Sequence, residues 1–179
     1  ETAFNESEVF RYVLKPCSSE SFSKSVQAAI GQHHLVVSEK ELLQSTLFGT
    51  VKTLTAILEI VDSNAFDFGK SLRFLIAGFI RVTDCKNEWE VEIAALLADL
   101  GSIIVPTPLL IKIRTNQELN IPEKALKQQI FEHSSRLLRN IPRLDGVSAI
   151  IRLLNSSPEE RNKNTGAAVL FLCRKYLKL

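Results

Sequence analysis

Methionine is absent from this chain of 179 residues, and histidine (three), tyrosine (two) and tryptophan (one) are scarce. The missing initiator marks the chain, on this reading, as a fragment of a longer protein. Three histidines leave little imidazole for metal binding or proton transfer. The three cysteines, Cys17, Cys85 and Cys173, are odd in number and far apart, with no Cys-x-x-Cys spacing. Reduced thiols in a cytoplasmic protein are therefore expected. Seven glycines build no phosphate loop of the Walker or dinucleotide type, and no Gly-x-Ser-x-Gly elbow is present. Charge interrupts the apolar stretches within about a dozen residues, which excludes a bilayer span. No signal-peptide pattern opens the chain.

What remains is ordinary globular material, 45% hydrophobic and 23% charged, enough for one core and a smaller attached element. The net charge of +2 is unevenly spread. Residues 1–90 hold nine Lys or Arg against twelve Asp or Glu, whereas residues 91–179 hold thirteen against eight. A basic half can attract nucleic acid. Here the cations are scattered through helical segments without interleaved aromatics, so a solvated surface is the reading and nucleic-acid binding the lesser alternative.

Four segments follow one another. "EVFRYVLKPCSS" predicts a short strand, Val9 to Leu14, closed by Pro16. From Ser19 to about Val61 the chain lacks proline and reads as one long helix, with Ser18 or Ser19 as its cap. Phe22, Val26, Ala29, Val36, Leu43 and Leu47 fall on a heptad-like seam if His33 and Lys40 occupy two of its positions. That seam suits packing against its own domain or a parallel homodimer, the dimer being the preferred reading, and Gly31 and Gly49 weaken the helix where they fall.

Residues 50–155 predict a series of helices separated by breakers. "EWEVEIAALLADLG" ends at Gly101, Pro106 and Pro108 keep the next helix short, and Asn120 with Glu123 forms a capping box. Pro142 closes the helix that this box opens, and "GVSAIIRLLN" begins another. "SSPEERNKNTG" reads as a polar loop, and "AAVLFLCRKYLKL" as a final helix packed into the body.

Two candidate positions stand apart. "AALLADLGSIIVP", residues 94–106, reads as a nearly apolar helix with Asp99 in its last turn. A carboxylate there faces the negative end of the helix macrodipole, where a cation is favoured by roughly 0.3–1 kcal/mol. It needs a partner, either His133 or a nearby Arg. His133 shares a helical stripe with Leu126, Ile130 and Leu137 and is expected to face inward, while His33 and His34 are expected in solvent.

The order "LLADLGSIIVP", "EHSSRLLRNIP", "VSAIIRLLN" resembles the HD-GYP branch of the HD phosphohydrolase superfamily over about residues 50–179. That branch reads His-Asp-x-Gly-Lys-x-x-x-Pro, then a His before a helix ending Ile-Pro, then His-His-Glu-x-x-Asp-Gly-x-Gly-Tyr-Pro. The resemblance implies an iron or manganese cluster that hydrolyses cyclic di-GMP, since adjacent metals activate a water and neutralise the phosphodiester. Residue by residue the pattern is thinned. Ala98 stands at the first letter of the HD pair, Asp99 keeps the second, and Ser102 replaces the lysine. No histidine lies between His34 and His133, and Leu153-Leu154 stands at the later His-His. Asp99 and His133 are the remnant ligand positions, and the resemblance as it stands implies no bound metal, no cofactor and lost catalysis. A metal-dependent cyclic di-GMP phosphodiesterase with atypical ligands is the alternative.

"FRYVLKP" resembles the last strand of a response-regulator receiver domain. The resemblance makes Tyr12 the aromatic switch residue, Lys15 the lysine at the aspartyl phosphate, and Lys15-Pro16 a cis peptide. It also implies an upstream histidine kinase as partner. The expected architecture is all-α: an HD-like helical bundle (50–179) preceded by a long connecting helix (19–49) and a remnant receiver strand within residues 1–18. The expected protein is a cytoplasmic response regulator, homodimeric through the connecting helix and acting on a protein partner.

Overall fold

The computed structural model describes Val13, residues 16–83, Cys85 and residues 87–178. Among them the chain is all-α, with eight α-helices and no strand. The strand expected at Val9–Leu14, including Tyr12, lies outside the described residues except for the exposed Val13. Lys15 also lies outside them, and Pro16 is exposed in a bend. None of the helices in the described part is long and apolar enough to cross a membrane.

Two compact units divide the chain, residues 1–48 and 49–179. Helix α1 (Ser19–Val61) supplies the described structure of the first from Ser19 onward. Ser18 Oγ accepts from Ser21 N at 3.2 Å, which makes it the cap. Along this stretch Phe22, Val26, Val36 and Leu43 of the apolar seam are exposed, while Ala29 and Leu47 are half-buried.

The second unit is a helical bundle. Its helices are the end of α1, α2 (Ser63–Ile80), α3 (Glu88–Leu97), α4 (Thr107–Arg114), α5 (Ile121–Leu138), α6 (Asp145–Arg152), α7 (Pro158–Arg161) and α8 (Thr165–Tyr176). Helix α3 lies against α2, α6 and α8, and α5 packs on α6 and on a 3-10 turn at Leu100–Ile104. Leu58, Leu72, Ile76, Leu97, Leu138 and Ile151 are fully enclosed. Burying each such side chain contributes roughly 1.5–3 kcal/mol. Small residues set the close approaches. A Cβ on Gly69 of α2 would lie 3.1 Å from the Ala95 carbonyl oxygen of α3.

Three expectations are corrected here. The helix read across residues 94–106 stops at Leu97 and resumes as the 3-10 turn, because Gly101 is drawn against α5 and its backbone N–H leaves the α-helical ladder. The polar loop after Asn155 contains α7, started by Ser157, whose side chain accepts from Glu160 N, with Pro158 in its first turn. Arg161 then stacks 3.5 Å from the Phe171 ring centroid and is buried. Third, the inward face of α5 keeps Ile130 and, half-buried against the core, Leu126 of the expected stripe, but takes Ser134, Ser135 and Leu138 in place of Leu137. Leu137 is half-exposed, at 49%, and His133 lies at the edge of the buried face. Two serines hold core positions because hydroxyls small enough for close packing also satisfy backbone groups. Ser135 and Ser148 of α6 share a 2.9 Å hydrogen bond, and Ser148 Oγ donates to the Ser135 carbonyl at 2.9 Å.

The capping box of α5 is present as expected. Asn120 Oδ1 accepts from Glu123 N and Glu123 Oε2 accepts from Asn120 N, both at 2.9 Å. The Lys112 hydrogen bond, and then the Asn120 backbone N–H, hold the Glu123 carboxyl below the usual carboxylate range. A depressed folded-state pKa gives stability that is present above the unfolded value and lost as pH falls through the folded one. Glu123→Gln is therefore expected to flatten the acid side of a stability–pH curve while leaving its alkaline side parallel to the parent. Urea midpoints measured from pH 2 to 7 test it.

Candidate functional site

The site grows from the junction after α3. Ala98 closes that helix and Asp99 precedes the 3-10 turn without capping it by its side chain. The Asp99 carboxylate is engaged from the last turn of α8 instead. Arg174 Nη1 donates to Asp99 Oδ2 and Arg174 Nη2 to Oδ1, both at 2.9 Å. The arginine side chain is 8% exposed and the carboxylate 17%. This two-pronged geometry is the strong form of a charge-assisted hydrogen bond. It also suits both helix ends, since a cation belongs at the C-terminus of α8 and offsets the carboxylate at the C-terminus of α3. Phe68 of α2 and Phe131 of α5 hold the guanidinium, their ring centroids 5.0 and 4.9 Å away.

Of the two partners that the sequence left open for Asp99, the arginine is the one found. His133 Nδ1 is instead hydrogen-bonded to Arg136 at 2.8 Å, one turn along its own helix. Asp99 and His133 are thus each committed to a different arginine. No group of three or more His, Cys, Asp or Glu close enough to hold a metal ion occurs among the described residues.

Below Asp99, Ser134 reaches across from α5. Its hydroxyl donates to the Ala98 carbonyl at 2.7 Å and accepts from Gly101 N, also at 2.7 Å. One side chain thereby joins the end of α3 to the start of the 3-10 turn. Next to this bridge, Ser102 is 3% exposed, and its Oγ is a buried side-chain oxygen without a hydrogen-bond partner among the described residues.

Two adjoining cavities of about 450 and 830 Å³ open beside this junction. Asp99, Arg174, Lys127, Lys178 and Asn116 line both. Asn116 takes a left-handed backbone (φ 50°) just after α4, where asparagine is tolerated as a helix terminator. Asp62 and Arg114, on the smaller cavity's wall, form an ion pair. Asp62 also caps α2, accepting from Ala65 N at 2.8 Å. Loss of water around the Lys178 amine lowers its pKa, assisted by Arg174 and opposed by Asp99.

The cysteines take no part. Cys17 is exposed and Cys85 partly buried, while Cys173 is buried with its thiol pKa pushed up by that burial. Sequence reasoning missed Arg174, Ser134 and the lysines of the cleft. A signal for Arg174 existed: it continues the buried stripe of Ala167 and Leu170 on α8. An arginine at such a position requires a buried acceptor, and Asp99 stands alone as the acid in the apolar run from Ile93 to Ile113.

No curated protein and no solved structure matches the chain significantly. The family model of the HD domain matches residues 42–159, which contain the end of α1, helices α2 to α6 and the Asp99 junction. Aligned over most of its length, the chain belongs to the HD domain family.

Proposed function

We propose that this HD domain is of the HD-GYP type but no longer catalytic, and that it serves as the output module of a response regulator, acting by protein interaction. The observation that carries the reading is the Arg174 guanidinium seated on both oxygens of Asp99. A metal ion ligated by that carboxylate would face a fixed cation across it, and the repulsion is strong where little water screens it. His133 adds one donor, engaged by Arg136, and Ala98, Leu153 and Leu154 offer none. This donor set does not fit a binuclear metal centre. The test is turnover of cyclic di-GMP with manganese or iron added, alongside elemental analysis of the purified protein. No hydrolysis and no stoichiometric metal are expected. Hydrolysis that Asp99→Asn abolishes, in a variant folded by circular dichroism, would establish the phosphodiesterase alternative.

The regulatory half of the reading rests on "FRYVLKP", whose Tyr12, Lys15 and Pro16 match the receiver pattern, followed after Cys17 and Ser18 by the 43 residues of α1. A histidine kinase upstream would phosphorylate the receiver, in the cytoplasm, and α1 would pass the change on by altering dimer packing, a two-state element biased by phosphate. Support for the homodimer comes from the exposed seam of Phe22, Val26, Val36 and Leu43. Leu43→Glu places a charge in that seam and is expected to give monomers in sedimentation where the parent gives dimers. A parent that sediments as a monomer at the same concentration removes the dimer from the scheme.

A further inference from the structure

The cleft beside Asp99 carries positive charge that its own carboxylates do not neutralise. Asp62 and Asp99 line the smaller cavity, and each is already taken by an arginine, Arg114 and Arg174. Lys127 and Lys178 line both cavities, and neither has an ion-pair partner among the described residues. Glu118, on the wall of the larger cavity only, is exposed. Two ammonium groups on a concave wall concentrate positive potential where an anion would enter. A second observation points the same way. Ser102 lines the smaller cavity, and its buried hydroxyl lacks a partner among the described residues. Buried hydroxyls are satisfied in most proteins, so an orphan at a cavity wall marks a place for a ligand oxygen.

We propose that this cleft binds a phosphate-bearing anion without a metal ion, Lys127 and Lys178 supplying the charge and Ser102 a hydroxyl donor. Two unpaired ammonium charges match a phosphate dianion, whereas a single carboxylate would leave one of them uncompensated. The inference rests on the reading of Asp99 as an arginine-bound carboxylate rather than a metal ligand.

Pyrophosphate is the probe, titrated calorimetrically into the full chain at low ionic strength in the presence of EDTA. Saturable binding is expected, weakening as salt is raised. Lys127→Gln and Lys178→Gln, both at exposed positions, are each expected to weaken it about tenfold. Ser102→Ala removes the orphan hydroxyl without leaving a polar group behind, so it keeps the fold and weakens binding several-fold. No binding at millimolar pyrophosphate in EDTA, with no hydrolysis under manganese, would overturn this proposal alone. Binding that both lysine variants leave unchanged would overturn it too, by placing the anion elsewhere. Binding that appears only after manganese is added would overturn it together with the reading of Asp99.

Discussion

Gly101→Ala is expected to cost roughly 3 kcal/mol or more, at the upper end of what overpacking does. A Cβ built at Gly101 would collide with the Ile130 carbonyl oxygen and come within 3.0 Å of Ser134 N, both of them backbone atoms of α5. No rotamer change relieves such a clash. Either α5 shifts, disturbing Ile130 and Leu138, or the 3-10 turn lifts away and breaks the Ser134 bridge to Gly101 N and the Ala98 carbonyl. The control is Gly31→Ala in α1, where a Cβ meets nothing within 4 Å. Removing a glycine from a helix interior should stabilise it by about 1 kcal/mol or less. Urea unfolding of both variants checks the pair of expectations. A Gly101→Ala loss below about 1 kcal/mol would mean that the crossing of α5 over this turn is looser than described.

Arg174→Ala is the second large effect, expected at about 3 kcal/mol or above, because it strands a mostly buried carboxylate at the negative end of α3. Part of the loss is packing, since the guanidinium lies against Phe68 and Phe131. Asp99→Ala should cost a similar amount by leaving the arginine without its acceptor. The double variant Asp99→Leu with Arg174→Met restores an apolar contact and is expected to be more stable than either alanine variant. Breaking one half of a buried pair is far costlier than replacing both. Chemical denaturation of the three proteins decides this. Equal small losses for both single variants would show that water screens the pair, as it does at open surfaces.

These two expectations concern the parts of the molecule that were hardest to read in the sequence. Helix periods, the proline breaks and the Asn120–Glu123 capping box are local signals, and the boundaries of α1 and α5 follow them. Asp99 was also visible locally, as an acid at the wrong end of an apolar helix. Its partner was not, because Arg174 lies 75 residues away and only the packing of α8 beside α3 brings the two together. Part of the inward face of α5 was misread for a related reason, although Ile130 lies inside as expected. A hydropathy stripe passes over serine, so it took in Leu137 and left out Ser134 and Ser135. What places those serines inside is the tight approach of the Gly101 turn on one side and Ser148 of α6 on the other.

The arginine on Asp99 also imposes an order on any attempt to engineer a metal site at this junction. Supplying imidazole first, for example by Ala98→His, would gain nothing, because the neighbouring carboxylate stays committed to a fixed organic cation. Arg174 has to leave before any new ligand becomes useful, and its departure by itself strands Asp99. The intermediate that lacks Arg174 is therefore expected to be less stable than the present protein, so such a design has to pass through a destabilised step.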